Sequence, residues 1–542
     1  MNIIRFKLKK IKEAIMPNTK RILYIHPYLF FCFSPQICTE PFLRFSNYLN
    51  SKKKELNGDI QEEYLDLRIE PQLDYWPANI DEYRKALKEL LYDIYERFKF
   101  DIAAISCYSD FAYLNSVEVA SMIKHFINPE CDIVVGGVHP SIFPKNFYSQ
   151  NIPSYFDNFY PKNCSPFDYI IIDEGEIPFF NFVQNSLRET IKRRKNLTEN
   201  PIILKGGYLD NLDVLPPLNL KLYKKYKNAI KGIGSFYIRF TRGCAFRCKF
   251  CLPSENYSKA CKKVRFRSIE NCIADLKSII NTDWLKIRQL HIIDSMFFPK
   301  RRMRDGFFEE LEKLSEKINF RINVFDRVET TTLKDLENYK KYNMILGLGL
   351  ESVSKKLLTR MGKISGKNAM QIDNGGKNYL KKTREIIKYS NKMDIAVVYF
   401  YLLGIPGTDE KTLNERWSFF FEKNNGDSAL MEKYKINLEF FPFELFTGNE
   451  IYDKGEEMFG AKYYYKEWWK IFDSDQPGFG CILDPSENLS FKQGLKATKN
   501  FVKSVFRAQT KLKNSFYSFP KFIGFKKDFD KLTNISEGIK VS

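Results

Sequence analysis

Cys244, Cys248 and Cys251 stand in the run TRGCAFRCKFC at 241–251, a C-x3-C-x2-C spacing that follows the strand-like FYIRF at 236–240. Thiolates are soft ligands suited to iron–sulfur chemistry, and three on one tight loop can hold three irons of a [4Fe–4S] cluster. A ferredoxin would supply four cysteines and saturate the cube. Three leave one iron open to bind something else. Zinc is the competing reading, but a structural zinc site wants four Cys or His, usually in paired C-x2-C knuckles. Here the next cysteine is Cys261 and His139 lies far upstream, so no second pair exists. The other eight cysteines, at 32, 38, 107, 131, 164, 261, 272 and 481, show no ligand spacing and read as small buried apolar residues.

A loop of this kind needs a strand to present it. Before it, from Arg21, short apolar runs alternate with helical patterns. The strand candidates are 21–26 (RILYIH), 64–67, 102–106 (IAAIS), 133–136 (IVVG) and 169–172 (YIII), with helical periodicity near 40–55, 81–98, 114–127 and 176–194. That alternation predicts a doubly wound parallel sheet, in which ligands bind beyond the carboxyl ends of the strands. Those ends carry His26 and Pro27, then Cys107, Tyr108 and Ser109, then Gly136, Gly137 and His139, then Glu174 and Gly175. No G-x-G-x-x-G follows the first strand, which weakens a dinucleotide reading. A glycine pair at a strand end does let a flat or phosphate-bearing ligand approach the backbone. Periodicity alone therefore gives a Rossmann-like ligand-binding domain.

The 542 residues suggest three or four domains as a prior, and 44% hydrophobic with 15% aromatic content excludes wholesale disorder. The net charge of +20 is concentrated at the ends. Residues 1–21 hold seven Lys or Arg against one Glu, and 491–542 hold twelve against three acids, leaving only +5 for the 469 residues between. A nucleic-acid groove through the body is therefore not expected, and any acidic partner should meet the ends. Residues 3–15 (IIRFKLKKIKEAI) pattern as a basic amphipathic helix, and 501–527 interleaves aromatics with lysines, so peripheral contact with an anionic membrane and a lipid-like substrate are weighed against plain solvated tails. No cleavable signal peptide and no long apolar span are legible, and the cysteine usage is not that of a disulfide scaffold. The expected location is the cytoplasm, with membrane association as the variant of that reading.

Beyond the cysteines, further segments follow in order: LHIIDSMFF at 290–298, RVETTTLK at 327–334, GLGLES at 347–352, LLTRMGK at 357–363 and YFYLLGIPGTDEKT at 399–412. Together with the triad, whose last cysteine is preceded by Phe250, this resembles the radical S-adenosylmethionine (SAM) superfamily over about 190 residues. A Rossmann-like domain before such a barrel, with strand ends Gly-Gly-Val-His-Pro and Glu-Gly-Glu and the proline-containing LPPLNL at 215–220, is similar to its cobalamin-binding (B12-dependent) class, methyltransferase-like (class B). The D-x-H-x-x-G motif of standard cobalamin modules is absent, which leaves the lower cobalt ligand unassigned.

The resemblance implies the cofactors: a [4Fe–4S] cluster on Cys244, Cys248 and Cys251, SAM, and cobalamin. It implies SAM contacts from Glu351, Ser352 and Asp294, and cobalamin contacts among Tyr108, Ser109, Gly136, Gly137, His139, Glu174 and Gly175. The implied reaction is reductive cleavage of SAM to a 5′-deoxyadenosyl radical, with methyl transfer from methylcobalamin to an unactivated carbon or phosphorus. Ring closure or rearrangement without methyl transfer is the alternative; a methylthiotransferase or a non-catalytic membrane-associated binding protein is weaker. The implied partners are a small-molecule or lipid-like substrate and a reductant such as flavodoxin or ferredoxin, with no nucleic acid. The expected fold is α/β: a basic helix at 1–20, a Rossmann-like cobalamin domain at 21–205, a linker at 206–230, a partial (β/α)6 TIM-type barrel at 231–425, and a small α-rich C-terminal region at 426–542. Within that last region, 440–445 with Trp468, Trp469 and Phe472 forms an aromatic patch, either core or a greasy substrate pocket.

Overall fold

The computed structural model describes residues 18–29, 40–70, 73, 80–157, 160–194, 196–251, 263–364, 369–423, 428–471 and 479–517. They form two compact units: the described residues up to Ala229 with Ala274–Leu285, and Ile230–Ile273 with the described residues from Lys286 onward. The basic helix expected at 3–15, Cys261, Phe472 and the tail from 518 lie outside the described residues.

In the first unit six parallel strands pair in the order β2-β1-β3-β4-β5-β6: Thr19–His26 (β1), Asp59–Asp66 (β2), Ile102–Ser106 (β3), Asp132–Gly136 (β4), Tyr169–Ile172 (β5) and Ile202–Lys205 (β6). The central strand β3, IAAIS, is buried along its whole length, as a parallel strand covered on both faces must be. Helices Pro41–Ser51 (α1), Ile80–Phe98 (α2), Tyr113–Met122 (α3) and Glu176–Leu187 (α4) alternate with the strands. Helix α2 buries Tyr83, Leu87, Leu90, Leu91 and Ile94, the stripe of an amphipathic helix. Two expectations need correction. The helical pattern at 176–194 stops at Leu187, and the stretch 206–230, expected as a linker, packs with the first unit as far as Ala229. Tyr223 stacks on Tyr64 with ring centroids 4.2 Å apart, and the amide of Asp66 donates to the Tyr226 hydroxyl at 2.9 Å.

The second unit is wound in one direction. Its six parallel strands, Ser235–Ile238 (β7), Gln289–Ile292 (β8), Arg321–Arg327 (β9), Ile345–Glu351 (β10), Val397–Leu403 (β11) and Asn437–Pro442 (β12), pair strictly in chain order, which makes a partial barrel. Strand β11 alternates: Val397, Tyr399, Tyr401 and Leu403 are buried, and the residues between them are half-buried. The sixth strand lies beyond residue 425, so the expected barrel limit fell one strand short. NLEFFP is a brief run with no motif to mark it, and only its pairing with β11 reveals its place. Helices Leu333–Lys341 (α5) and Glu410–Phe421 (α6) each begin on a capping box, Thr332 with Asp335 and Asp409 with Thr412. Helices Glu450–Phe459 (α7) and Phe491–Lys511 (α8) follow the barrel. Trp468 and Trp469 are buried, and the Trp468 indole N–H donates to the Leu445 carbonyl at 2.9 Å; this part of the aromatic patch is core.

Candidate active site

The cysteine loop begins where β7 ends, and Asp294 fixes that corner. Its Oδ1 accepts the amide hydrogens of Phe240 at 2.8 Å and Thr241 at 2.9 Å, while the side chain is almost fully buried. Burial pushes its carboxyl up to about 7. Asp294, expected to touch SAM, holds through Oδ1 the backbone that presents the cysteines, while its Oδ2 is buried with no hydrogen-bond partner among the described residues. Thr241–Arg242 then pairs antiparallel with Arg265–Phe266, and Gly243, at φ +84°, turns the chain into the loop.

Three contacts on the far side clamp the loop. The Lys249 amide donates to the Met361 carbonyl at 2.9 Å, the Asn449 side-chain amide donates to the Phe250 carbonyl at 3.1 Å, and Lys249 pairs with Glu450 at 2.9 Å. Gly362 sits at φ +70°, and a Cβ there would lie 2.8 Å from the Arg247 carbonyl oxygen. Cys248 is buried; Cys244 and Cys251 are half-buried. Burial raises the thiols of Cys244 and Cys251; Cys248 raises both further, and Cys244 adds to the effect on Cys251. At Cys244 and Cys251, thiolates therefore need positive charge or a metal to form.

That positive charge is present. Arg327, at the end of β9, donates from Nη1 to the Cys248 sulfur at 2.9 Å, while Nη2 reaches Glu329 at 2.6 Å and the Lys363 carbonyl at 3.1 Å. Its guanidinium carbon stands 3.8 Å from the centre of the Phe246 ring, a cation–π contact with the cysteine loop itself. Glu351 ends β10 beside a register shift and has φ +59°, a conformation that costs a residue with a side chain and clusters at functional sites. Lys363 lies 3.4 Å from its carboxylate and donates to the Gly349 carbonyl at 2.6 Å. Tyr379 donates to the Leu350 carbonyl at 2.9 Å. Glu351 and Lys363 both act electrostatically on Cys251, in opposite directions, so the pair borders the cysteine site. Ser352 is buried and its hydroxyl accepts the Ser354 amide at 3.2 Å. Arg327, Lys363 and Asn449 were missed by sequence reasoning. A lysine two residues after Met361 and an arginine opening RVETTTLK carried the only signals, and neither spacing means anything until the strands are paired.

Among the described residues no three His, Cys, Asp or Glu side chains converge on a single ion. In a four-iron cube each thiolate meets a different iron, so that chemistry does not require them to converge. The donor set fits a cluster: three thiols on a braced loop, with a guanidinium on one sulfur. A carboxylate and an ammonium beside them complement the amino and carboxylate groups of an amino acid. Toward the other end of the strands, the hollow of the partial barrel is lined by His291, Asn323, Phe325, Phe400 and Glu439. Burial lowers His291 to about 4, so its ring is neutral there.

In the first unit the strand order reverses between β1 and β3, and this is where an open parallel sheet forms its crevice. Tyr108 and Ser109 follow β3 at that point. The Ser109 hydroxyl is buried with no hydrogen-bond partner among the described residues. The other residues expected to contact cobalamin have neighbours inside the fold. His139 is fully buried, with Nδ1 against Asp110 at 2.5 Å and Nε2 against Asn146 at 3.1 Å, so neither nitrogen is available. Gly136 packs on Ile171. Gly137, at φ +125°, admits the Cys107 carbonyl, which a Cβ would meet at 2.5 Å. Gly175 makes room for the Phe45 ring, and the Glu174 carboxylate accepts the Leu209 amide at 3.0 Å. Each glycine leaves room for a neighbouring part of the chain.

Residues 238–416 match the profile of the Radical SAM superfamily. An uncharacterized methyltransferase of Pyrococcus horikoshii is 25% identical over 350 residues, covering 58% of this chain and 69% of that one. A protein of Methanocaldococcus jannaschii, provisionally named a methylthiotransferase, is 30% identical over 247 residues, covering 45% of this chain and half of its own length. The radical S-adenosylmethionine methyltransferase TsrM of Kitasatospora setae, in a structure with cobalamin and a [4Fe–4S] cluster bound, superposes with a TM-score of 0.54 at 14% identity, over 80% of this chain and 74% of that one. At that identity the likeness is one of fold.

Proposed function

We propose, from the premise that this chain is a radical SAM enzyme, that it is cobalamin-dependent and transfers a methyl group to an unactivated carbon or phosphorus of a small-molecule or lipid-like substrate. The observation that carries this reading is the pairing, in one chain, of a braced cysteine triad with a separate parallel sheet whose switch-point crevice holds a buried serine hydroxyl with no partner among the described residues. The likeness in fold to a radical S-adenosylmethionine methyltransferase solved with cobalamin and a [4Fe–4S] cluster bound supports it. Bound cofactors would supply the chemistry, an electron into the sulfonium of SAM from the cluster and a methyl group from cobalamin.

The chain's own part is to hold and orient. Cys244, Cys248 and Cys251 would bind three irons, and Asp294, Asn449 and Lys249 keep their loop in place. Glu351 would accept hydrogen bonds from the amino group of SAM. Lys363, already poised against Glu351, would face its carboxylate. Tyr108 and Ser109 would meet the corrin at the crevice between β1 and β3. A flavodoxin or ferredoxin would serve as electron donor.

The test uses protein purified and reconstituted without oxygen, with iron, sulfide and hydroxocobalamin. Iron and cobalamin are counted per chain, and SAM with reductant is assayed for 5′-deoxyadenosine and S-adenosylhomocysteine. The expected result is a full cluster, one cobalamin and both products. Cluster and deoxyadenosine without bound cobalamin would overturn the methyl-transfer reading while leaving a radical enzyme. A full complement of both cofactors with deoxyadenosine but no S-adenosylhomocysteine would favour rearrangement chemistry.

A further inference from the structure

Helix α8 reads FKQGLKATKNFVKSVFRAQTK and contains six basic residues and no acid. From residue 488 to 527 the sequence has ten Lys or Arg and no Asp or Glu at all. At 100° per residue, Lys492, Lys496, Lys499, Lys503 and Arg507 fall within one arc of about 80°. The opposite face is buried through Gly494, Thr498, Phe501, Val502, Val505 and Gln509. The helix is no loose tail. Gln509 accepts the Ile436 amide at 2.9 Å, Asn514 donates to Asn437 at 3.0 Å, and the Tyr517 hydroxyl donates to the Leu438 carbonyl at 2.8 Å, which pins the end of α8 to the start of β12. The basic stripe is consequently a fixed, outward-facing surface.

Lys492, Lys496, Lys503, Arg507 and Lys511 carry no salt bridge among the described residues, although ion pairs with neighbouring acids are common elsewhere on this protein. Like charges four apart on a helix repel and destabilise it. Lys492 with Lys496, Lys499 with Lys503 and Lys503 with Arg507 repeat that penalty along one line. A stripe in which Lys492, Lys496, Lys503 and Arg507 have no acidic partner among the described residues is complementary to an extended anionic surface. Two such surfaces exist, nucleic acid and the headgroups of acidic lipids. The lipid surface is favoured by geometry and by sequence. From Lys492 to Lys511 the stripe runs straight for about 28 Å, which suits a plane. The chain beyond it, SFYSFPKFIGFKK at 515–527, alternates aromatics with lysines, the composition of an interfacial anchor.

We propose that the exposed face of α8 docks this protein on an anionic lipid bilayer. The experiment is flotation of the full-length protein with vesicles of phosphatidylglycerol and phosphatidylcholine in equal parts, against vesicles of phosphatidylcholine alone, at low and at 0.5 M salt. The expected result is binding to the anionic vesicles only, weakened at least tenfold by 0.5 M salt, where screening shortens charge interactions. The triple variants Lys496→Glu/Lys503→Glu/Arg507→Glu and, as a milder change, the same three positions to Gln should each lose tenfold or more, with unchanged circular dichroism. Equal binding to both vesicle types, wild-type binding by the folded variants, or binding to a single-stranded oligonucleotide but not to the anionic vesicles would each overturn the proposal.

Discussion

Replacing Arg327 by methionine keeps an unbranched stem beside Phe246 but removes the guanidinium that donates to the Cys248 sulfur at 2.9 Å. At that separation, with an effective dielectric of about 20, two unit charges interact by roughly 6 kcal/mol. One-electron reduction of a four-iron cluster spreads its charge over the whole cube. If about a quarter of it resides at this corner, the guanidinium favours the reduced state by about 1.4 kcal/mol, or roughly 60 mV for one electron. Glu329, which pairs with the other nitrogen, cancels part of that, so a shift of about 30–60 mV to more negative potential is expected. The assay is an EPR-monitored potentiometric titration of reconstituted protein, with iron counted in parallel. Arg327→Lys keeps the charge but not the fork, and should shift less. A full cluster whose potential stays within about 10 mV of wild type in Arg327→Met would refute the reasoning, because the arginine would then not be coupled to the sulfur.

Two more outcomes follow from the same loop. Asp294 has a folded-state carboxyl raised by burial to about 7, against roughly 3.9 in an unfolded chain. The folded protein therefore holds that proton more tightly, so this residue's contribution to stability is largest below about pH 4, declines as pH rises toward 7, and is level above it. Asp294→Asn should remove that decline, which urea midpoints measured from pH 4 to 8 would reveal; parallel pH dependence in both proteins would be the contrary result. Gly362→Ala places a methyl group 2.8 Å from the Arg247 carbonyl in a left-handed conformation worth about 1–2 kcal/mol to a residue with a side chain. It should fold, lose iron faster than wild type during desalting, and recover when Gly is restored; iron retention equal to wild type would mean the 361–363 turn does not brace the loop.

The cysteine motif and the class of fold are legible in the amino-acid sequence alone. Three cysteines at fixed short spacing act through local geometry, and apolar runs such as IAAIS and YIII become strands because both their faces can be buried. Those strands fall at the residues the pattern predicts. Tertiary structure decided which side chains serve the site. Ser352 and His139 look functional in the chain because their types and positions at strand ends are suggestive, yet each has backbone or buried partners that no spacing reveals, and Asp294 holds the loop backbone through one of its two oxygens. Gly137 and Gly175 are glycine for a neighbouring carbonyl and a phenylalanine ring. Conversely, Arg327 and Lys363 are ordinary cations in sequence, and only the folded barrel brings one to a cysteine sulfur and the other to Glu351. The sixth barrel strand at Asn437–Pro442 was hidden for the same reason: a short edge strand is defined by its partner, and long-range pairing leaves no local periodicity by which to find it.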